Sequence, residues 1–232
     1  SYMYDYGLFL YSCNGANVIE GNTIYSPQLT YGIYLNYCQA TSGNEATIVN
    51  NLISVEDHGI YFYQNNYYQN IYYNSVRVRD SYALYTYYGN SNNTLINNIF
   101  YTESTTTPAA YFYNVSVVTS SDYNDYFSSY DYPIYYNGNK TLVEWQSYGQ
   151  DSSSLNINPM FDADSSLVPT SYILDNKGTP ISDITDDIYG NNRPETPDMG
   201  AVEFTVEGSA LAGSYTVGSG GDYDSISTAL SD

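Results

Sequence analysis

Two interleaved columns of short β-branched and aromatic segments, each returning about every 24 residues, predict an all-β fold: a right-handed parallel β-helix of about six coils. Turns rich in Asn, Gly and Ser separate the segments and leave no room for helices between them. Within each segment apolar residues alternate with period two, which excludes helical repeats. The LxxLxL pattern of leucine-rich repeats is missing, and a propeller blade needs about 40 residues.

The first column runs through GLFL at Gly7, GIYL at Gly32, GIYF at Gly59, ALYT at Ala83, AYFY at Ala110 and PIYY at Pro133, at intervals of 23–27 residues. Alternation sends Leu8, Ile33, Ile60, Leu84, Tyr111 and Ile134 inward. The outward column is then Phe9, Tyr34, Tyr61, Tyr85, Phe112 and Tyr135, aromatic in every coil. Coils stacked at about 4.8 Å bring these rings into a ladder. It is a candidate packing or ligand-binding face; strand propensity alone also accounts for it.

The second column comprises IEGNTI, IVNNLI, IYYNSV and LINNIF, and it carries Asn22, Asn51, Asn74 and Asn98. Asp122 in SSDYND extends it by the same period. These asparagines read as structural: at a turn, stacked buried amides can bond one another and the backbone.

Cys13 and Cys38 each lie five residues after an inward position, Leu8 and Ile33, so they share one place on adjacent coils. They are either stacked thiols or an inter-coil bridge. Two cysteines are too few for a disulfide scaffold, and their spacing fits neither zinc nor CxxC redox chemistry.

The chain has 25 acidic and 5 basic residues, a formal charge of −20. That disfavours nucleic acid, anionic membranes and polyanionic sugars as partners. No apolar run reaches the 18 residues of a membrane span. At 42% hydrophobic residues with regular spacing, the chain is not disordered.

Beyond residue 140 the period is lost. NPMFDAD (158–164), SLVPTSYILDNKG (166–178) and DDIYGNNRPETPDMGAVE (186–203) follow. This tail resembles the closing segment of secreted bacterial right-handed parallel β-helix repeat proteins, large tandem-repeat proteins of adhesin type. The matching residues are Asn158, Pro159, Phe161, Asp187, Gly190, Arg193, Pro194, Pro197, Asp198, Gly200, Ala201 and Glu203. Physically, such a segment is expected to cover the open end of the solenoid. Arg193 is expected to clamp it by pairing with Asp187, Asp198 or Glu203. Asp183, Asp186 and Asp187 offer a candidate calcium site without EF-hand spacing; no other cofactor is expected.

The last residues, SYTVGSGGDYDSISTALSD, resemble the opening of the same kind of domain, with Asp222 or Asp224 as N-cap of a short helix presenting Ile226, Ala229 and Leu230. The expected organisation is coils over 1–140, a closing segment over 141–205, a linker over 206–213, and the start of a following tandem domain over 214–232.

Two elements bear on catalysis. His58, in EDHG, is the sole histidine and reads as an exposed turn residue; the carboxylate and basic partners of a polygalacturonase site are missing. Arg77 and Arg79 share a face, as a sugar or sulfate clamp or as charges pairing with nearby carboxylates. The resemblance implies a secreted, cell-surface structural or adhesive repeat without catalysis. Neighbouring copies, in tandem or as a homo-oligomeric filament, are its expected partners. The alternatives are a carbohydrate-binding module using the aromatic ladder and a polysaccharide lyase or hydrolase.

Overall fold

The computed structural model describes residues 4–206, 215–223 and 225. The chain winds through three strands per coil. Coil one comprises β1 (Tyr6–Tyr11), β2 (Val18–Glu20) and β3 (Thr23–Ser26). Coil two comprises β4 (Tyr31–Asn36), β5 (Ala46–Val49) and β6 (Leu52–Val55). Coil three comprises β7 (His58–Phe62), β8 (Gln69–Tyr72) and β9 (Ser75–Val78). Coil four comprises β10 (Leu84–Thr86), β11 (Asn93–Ile96) and β12 (Ile99–Thr102). Coil five comprises β13 (Ala110–Phe112), β14 (Val118–Asp122) and β15 (Asp125–Ser128). A sixth rung begins with β16 (Ile134–Tyr135), turns back into β17 (Asn139–Lys140) and ends in helix α1 (Leu142–Gln146). Equivalent strands pair in parallel into sheet A (β1-β4-β7-β10-β13-β16-β17), sheet B (β2-β5-β8-β11-β14) and sheet C (β3-β6-β9-β12-β15). Among the strands of the described residues, only β17 is antiparallel to its neighbour. The result is a parallel β-solenoid with five full coils and a partial sixth.

Inward residues of all three sheets meet in one core. Ile33, Ile60, Leu84 and Ile134 are fully buried from sheet A, facing Ile48 and Ile71 of sheet B and Ile53, Val76 and Phe100 of sheet C. The small residue before each inward sheet A position sits against sheet C. A Cβ on Gly59 would meet Val76 Cγ1 at 2.1 Å and the Ala83 carbonyl oxygen at 2.5 Å.

One coil departs from the expected register. Leu84 pairs with Ala110 and Tyr85 with Tyr111. Ala110 is therefore the inward residue of coil five, Tyr111 points out, and Phe112 is buried in the core. Two consecutive alanines, Ala109 and Ala110, both suit the small position, and Ala109 is the one that fills it.

The corner between sheets B and C carries the asparagine ladder. A residue with positive φ precedes each rung: Gly21 (65°), Asn50 (52°), Tyr73 (51°), Asn97 (62°) and Tyr123 (54°). The backbone N–H of each following asparagine donates to the side-chain oxygen of the asparagine one coil on: Asn22 to Asn51 at 3.0 Å, Asn51 to Asn74 at 3.1 Å, Asn74 to Asn98 at 3.0 Å and Asn98 to Asn124 at 3.0 Å. The side-chain amides donate along the same line, and that of Asn74 also reaches the carbonyls of Ile48 and Tyr72. Asn124, not Asp122, continues the column. Asp122 lies at the end of β14 opposite Ile96, and its carboxylate accepts from the Ser153 N–H and the Ser152 hydroxyl.

The C-terminal end of the stack is covered by α1. A capping box between Thr141 and Glu144 starts the helix. Its Trp145 stacks flat on Phe112 at 4.6 Å and donates its indole N–H to Asp151 at 2.7 Å. Ser154 accepts from the Asn124 N–H, which terminates the ladder.

The tail motifs of residues 158–203 do not plug this end, as their pattern suggested. Residues 158–204 instead run back along the side of the solenoid as a strap over coils two to four. The side chains of the positive-φ residues Asn50, Tyr73 and Asn97 point toward it. Asn97 exchanges two hydrogen bonds with Thr179 (2.7 and 2.9 Å), the Tyr73 hydroxyl donates to the Thr179 carbonyl, and the Asn50 amide donates to the Asp186 carbonyl. Leu167, Ala201 and Val202 pack on Leu52, while Leu174 and Met199 pack on Ile99.

Residues 215–223 form a small turn closed by a Val217–Tyr223 bridge, with the Asp222 carboxylate accepting from the Thr216 N–H and hydroxyl. The expected capping helix and most of the expected linker lie outside the described residues.

Two outcomes follow. Asn74→Ala strands several buried backbone and amide groups and lowers stability by about 3–5 kcal/mol in urea unfolding, whereas Asn22→Ala at the exposed first rung costs about 1 kcal/mol. The second concerns Asp125, fully buried, with one carboxylate oxygen unpartnered; burial pushes its pKa up to about 8. A carboxyl held above its unfolded value adds stability at low pH that is lost as pH rises through the folded value. Thermal melts therefore drop as pH climbs toward 8, and Asp125→Asn flattens that decline.

Candidate functional site

The outward face of sheet A is a field of aromatic rings. Its central row is Phe9, Tyr34, Tyr61, Tyr85, Tyr111 and Tyr135, with successive centroid separations of 5.3, 5.2, 4.7, 4.4 and 4.9 Å. Four of the five interplanar angles are 14° or less. Tyr111 takes the place expected for Phe112, which lies under Trp145.

A second row, Tyr6, Tyr31 and His58, flanks it with stacking distances of 5.1 and 5.2 Å. A third, Tyr63 and Tyr87, stacks at 5.6 Å on the other side. The second row meets the central one edge to face, as between Tyr31 and Tyr61 (5.0 Å, 77°), while the third lies nearly parallel to it, as between Tyr61 and Tyr63 (6.3 Å, 23°). The ring spacing matches the coil spacing of about 4.8 Å, and within each row the rings stack on one another. Ring faces are turned to each other, and ring edges with their hydroxyls face solvent.

His58 belongs to this face and is no exposed turn residue. It opens β7, sits between Tyr31 and Tyr82, and its Nε2 lies 3.3 Å from the Ser81 hydroxyl. Nδ1 is buried without a partner, and burial pulls the imidazole pKa down to about 4. The ring is neutral and packs as an aromatic. Burial likewise pushes the phenols of Tyr34, Tyr61 and Tyr85 up, and that of Tyr31 to about 12. The face is uncharged and presents hydroxyls that both donate and accept.

The cysteines lie at the corner between sheets A and B. Ser12 (54°), Tyr37 (58°), Asn65 (52°) and Gly89 (77°) have positive φ there, and each precedes a member of one column: Cys13, Cys38, Asn66 and Asn90. The Cys38 N–H donates to the Asn66 side-chain oxygen at 3.0 Å, and the Asn66 N–H to that of Asn90 at 2.9 Å. The two cysteines thus occupy the first rungs of a second asparagine ladder. Both are free thiols, and burial raises the pKa of Cys38.

The charged residues converge on the strap. Arg193 lies with its guanidinium 3.7 Å above the Tyr73 ring, donates to the Asn50 side-chain oxygen (2.8 Å) and the Gly200 carbonyl (3.1 Å), and pairs with Glu203. Of the three carboxylates expected as partners, Glu203 is the one that pairs. Asp187 accepts from the N–H groups of Tyr189, Asn191 and Glu203 and from the Asn191 amide. Asp198 accepts from the N–H groups of Asn176 and Phe204, and burial pushes its pKa to about 7.

Four N–H donors thus engage the Asp187 carboxylate. Among the described residues, no three His, Cys, Asp or Glu side chains cluster as metal ligands. Arg77 bonds Glu103 of coil four (2.5 Å) and Asp164 of the strap (3.1 Å), and Arg79 reaches Asp164 (3.5 Å) and Glu56 (3.9 Å). The arginine pair therefore faces protein carboxylates.

This stack of short parallel strands with internal amide ladders defines a β-solenoid. The model of the right-handed beta helix region matches residues 1–146, and the chain belongs to that family. No curated protein and no solved structure matches the chain.

Removing the Arg193 fork leaves the half-buried Glu203 without its cation. Arg193→Ala lowers stability by about 3–5 kcal/mol. Arg193→Lys recovers only part of this, because an ammonium cannot reproduce the planar fork over Tyr73. Urea melts measure both, and limited proteolysis shows the cuts moving into the strap.

Proposed function

We propose that this domain is a structural and adhesive repeat of a large extracellular protein, arrayed in tandem and presented on a cell surface or in a filament, and that it performs no catalysis. The observation that carries this reading is the orientation of the central aromatic row. A sugar-binding platform needs open ring faces, and here each interior ring is sandwiched between two others. What remains at the surface is a flat field of ring edges and neutral hydroxyls, suited to contact with another surface. The charge of −20 favours solubility and keeps copies from indiscriminate association. The arginines that could hold a charged substrate are paired with carboxylates of the chain itself. Tandem association follows the resemblance of residues 214–232 to a domain opening. The role needs no cofactor.

The test is to incubate the purified chain with neutral and acidic polysaccharides and to screen it on a glycan array. The expected outcome is no new reducing or unsaturated ends and no ring-dependent glycan binding. Release of such ends overturns the non-catalytic reading. Glycan binding that is lost in Tyr34→Ala or Tyr61→Ala replaces it with a carbohydrate-binding one.

A further inference from the structure

The central row of sheet A is, from Tyr34 to Tyr135, an unbroken file of five phenols on five consecutive coils. Its tightest contact is Tyr85 on Tyr111, 4.4 Å between centroids and 14° between planes. All five residues are half-buried, with the hydroxyl and the ring carbons ortho to it on the outer edge. Neighbours are held in place by strand pairing, so a reaction between adjacent rings needs no encounter step. A modest tilt of each ring about its Cβ brings ortho carbons together. Some competing rings are shielded, while Tyr4, Tyr11, Tyr25 and Tyr88 are exposed. Trp145, the sole tryptophan, is fully buried, as are Tyr73 and Tyr126.

We propose that this row is a site of oxidative cross-linking, in which a one-electron oxidant of the peroxide-driven haem peroxidase class joins tyrosines of adjacent coils as dityrosine, foremost Tyr85 with Tyr111. Each phenol gives up one electron and one proton and becomes a phenoxyl radical. The two radicals pair to form one carbon–carbon bond between ortho carbons. The hydrogens on those carbons return through solvent to the oxygens as protons, which restores both phenols. Two hydrogen atoms leave the protein in total, and one hydrogen peroxide accepts them to become two waters. The product staples consecutive coils covalently.

The experiment treats the folded full chain with a haem peroxidase and limiting hydrogen peroxide, then maps cross-linked peptides by mass spectrometry. The expected result is dityrosine fluorescence in a monomeric species and a Tyr85–Tyr111 link lacking two hydrogens. Tyr85→Phe, which keeps the stacked ring, loses the Tyr85–Tyr111 and Tyr61–Tyr85 links and retains Tyr111–Tyr135. Tyr111→Phe loses Tyr85–Tyr111 and Tyr111–Tyr135 and retains Tyr61–Tyr85. The same chain oxidised in urea gives scattered links. The proposal is overturned if the folded wild-type chain forms no dityrosine, or if its links fall only between molecules or only at the exposed Tyr4, Tyr11, Tyr25 and Tyr88. An unchanged link map in both folded variants also overturns it.

Discussion

Each coil must turn between sheets B and C through a left-handed residue, and that turn aims a backbone N–H into a dry interior. Its acceptor is the side-chain amide oxygen of the next coil's asparagine, about 3 Å away in every step from Asn22 to Asn124. A buried donor without an acceptor costs about 1–3 kcal/mol, and the cost recurs at each rung. The ladder therefore admits one register. With that register set, the inner apolar columns align, and so do the outward rings. The aromatic face is in this sense a by-product of amide geometry at the opposite corner.

That logic also shows what could be read from the residues alone. The coil period and the roles of Asn22, Asn51, Asn74 and Asn98 were legible, because asparagine at a fixed step leaves few other reasons to recur. The second ladder was hidden, because cysteine replaces asparagine on its first two rungs and breaks the column of letters at Cys13 and Cys38. The slip at Tyr111 and Phe112 came from two adjacent alanines of equal size, which only strand pairing distinguishes. Asp122 lies an even 24 residues after Asn98 and so mimics a rung, while the real step, to Asn124, is 26. His58 was misplaced because a lone polar letter before a glycine reads as a turn, and its aromatic neighbours lie a coil away in each direction. The path of the strap depends on contacts more than 80 residues apart, such as Asn97 with Thr179, which no local pattern encodes.

The scarcity of cations takes on meaning in this frame. All three arginines form ion pairs, and all three take part in holding the strap to the coils, Arg77 and Arg79 through Asp164 and Arg193, itself in the strap, through Tyr73 and Asn50. Surface acidity is left uncompensated, while the few positive charges sit where a flexible connection would otherwise peel away. Arg193 is the most constrained of them, since its fork meets a ring, an amide, a carbonyl and a carboxylate at once.

A stack of repeats in which each coil touches only its neighbours melts as a one-dimensional chain, fraying from whichever end is weaker. The strap changes the dimensionality of that problem. It bonds Asn50 on coil two, Tyr73 on coil three and Asn97 on coil four in a single run of chain. No one of those coils can detach while the others stay docked without breaking the shared tether. The side strap thus converts a zipper into a bundle with one common latch, and the middle of the solenoid opens as a unit or not at all.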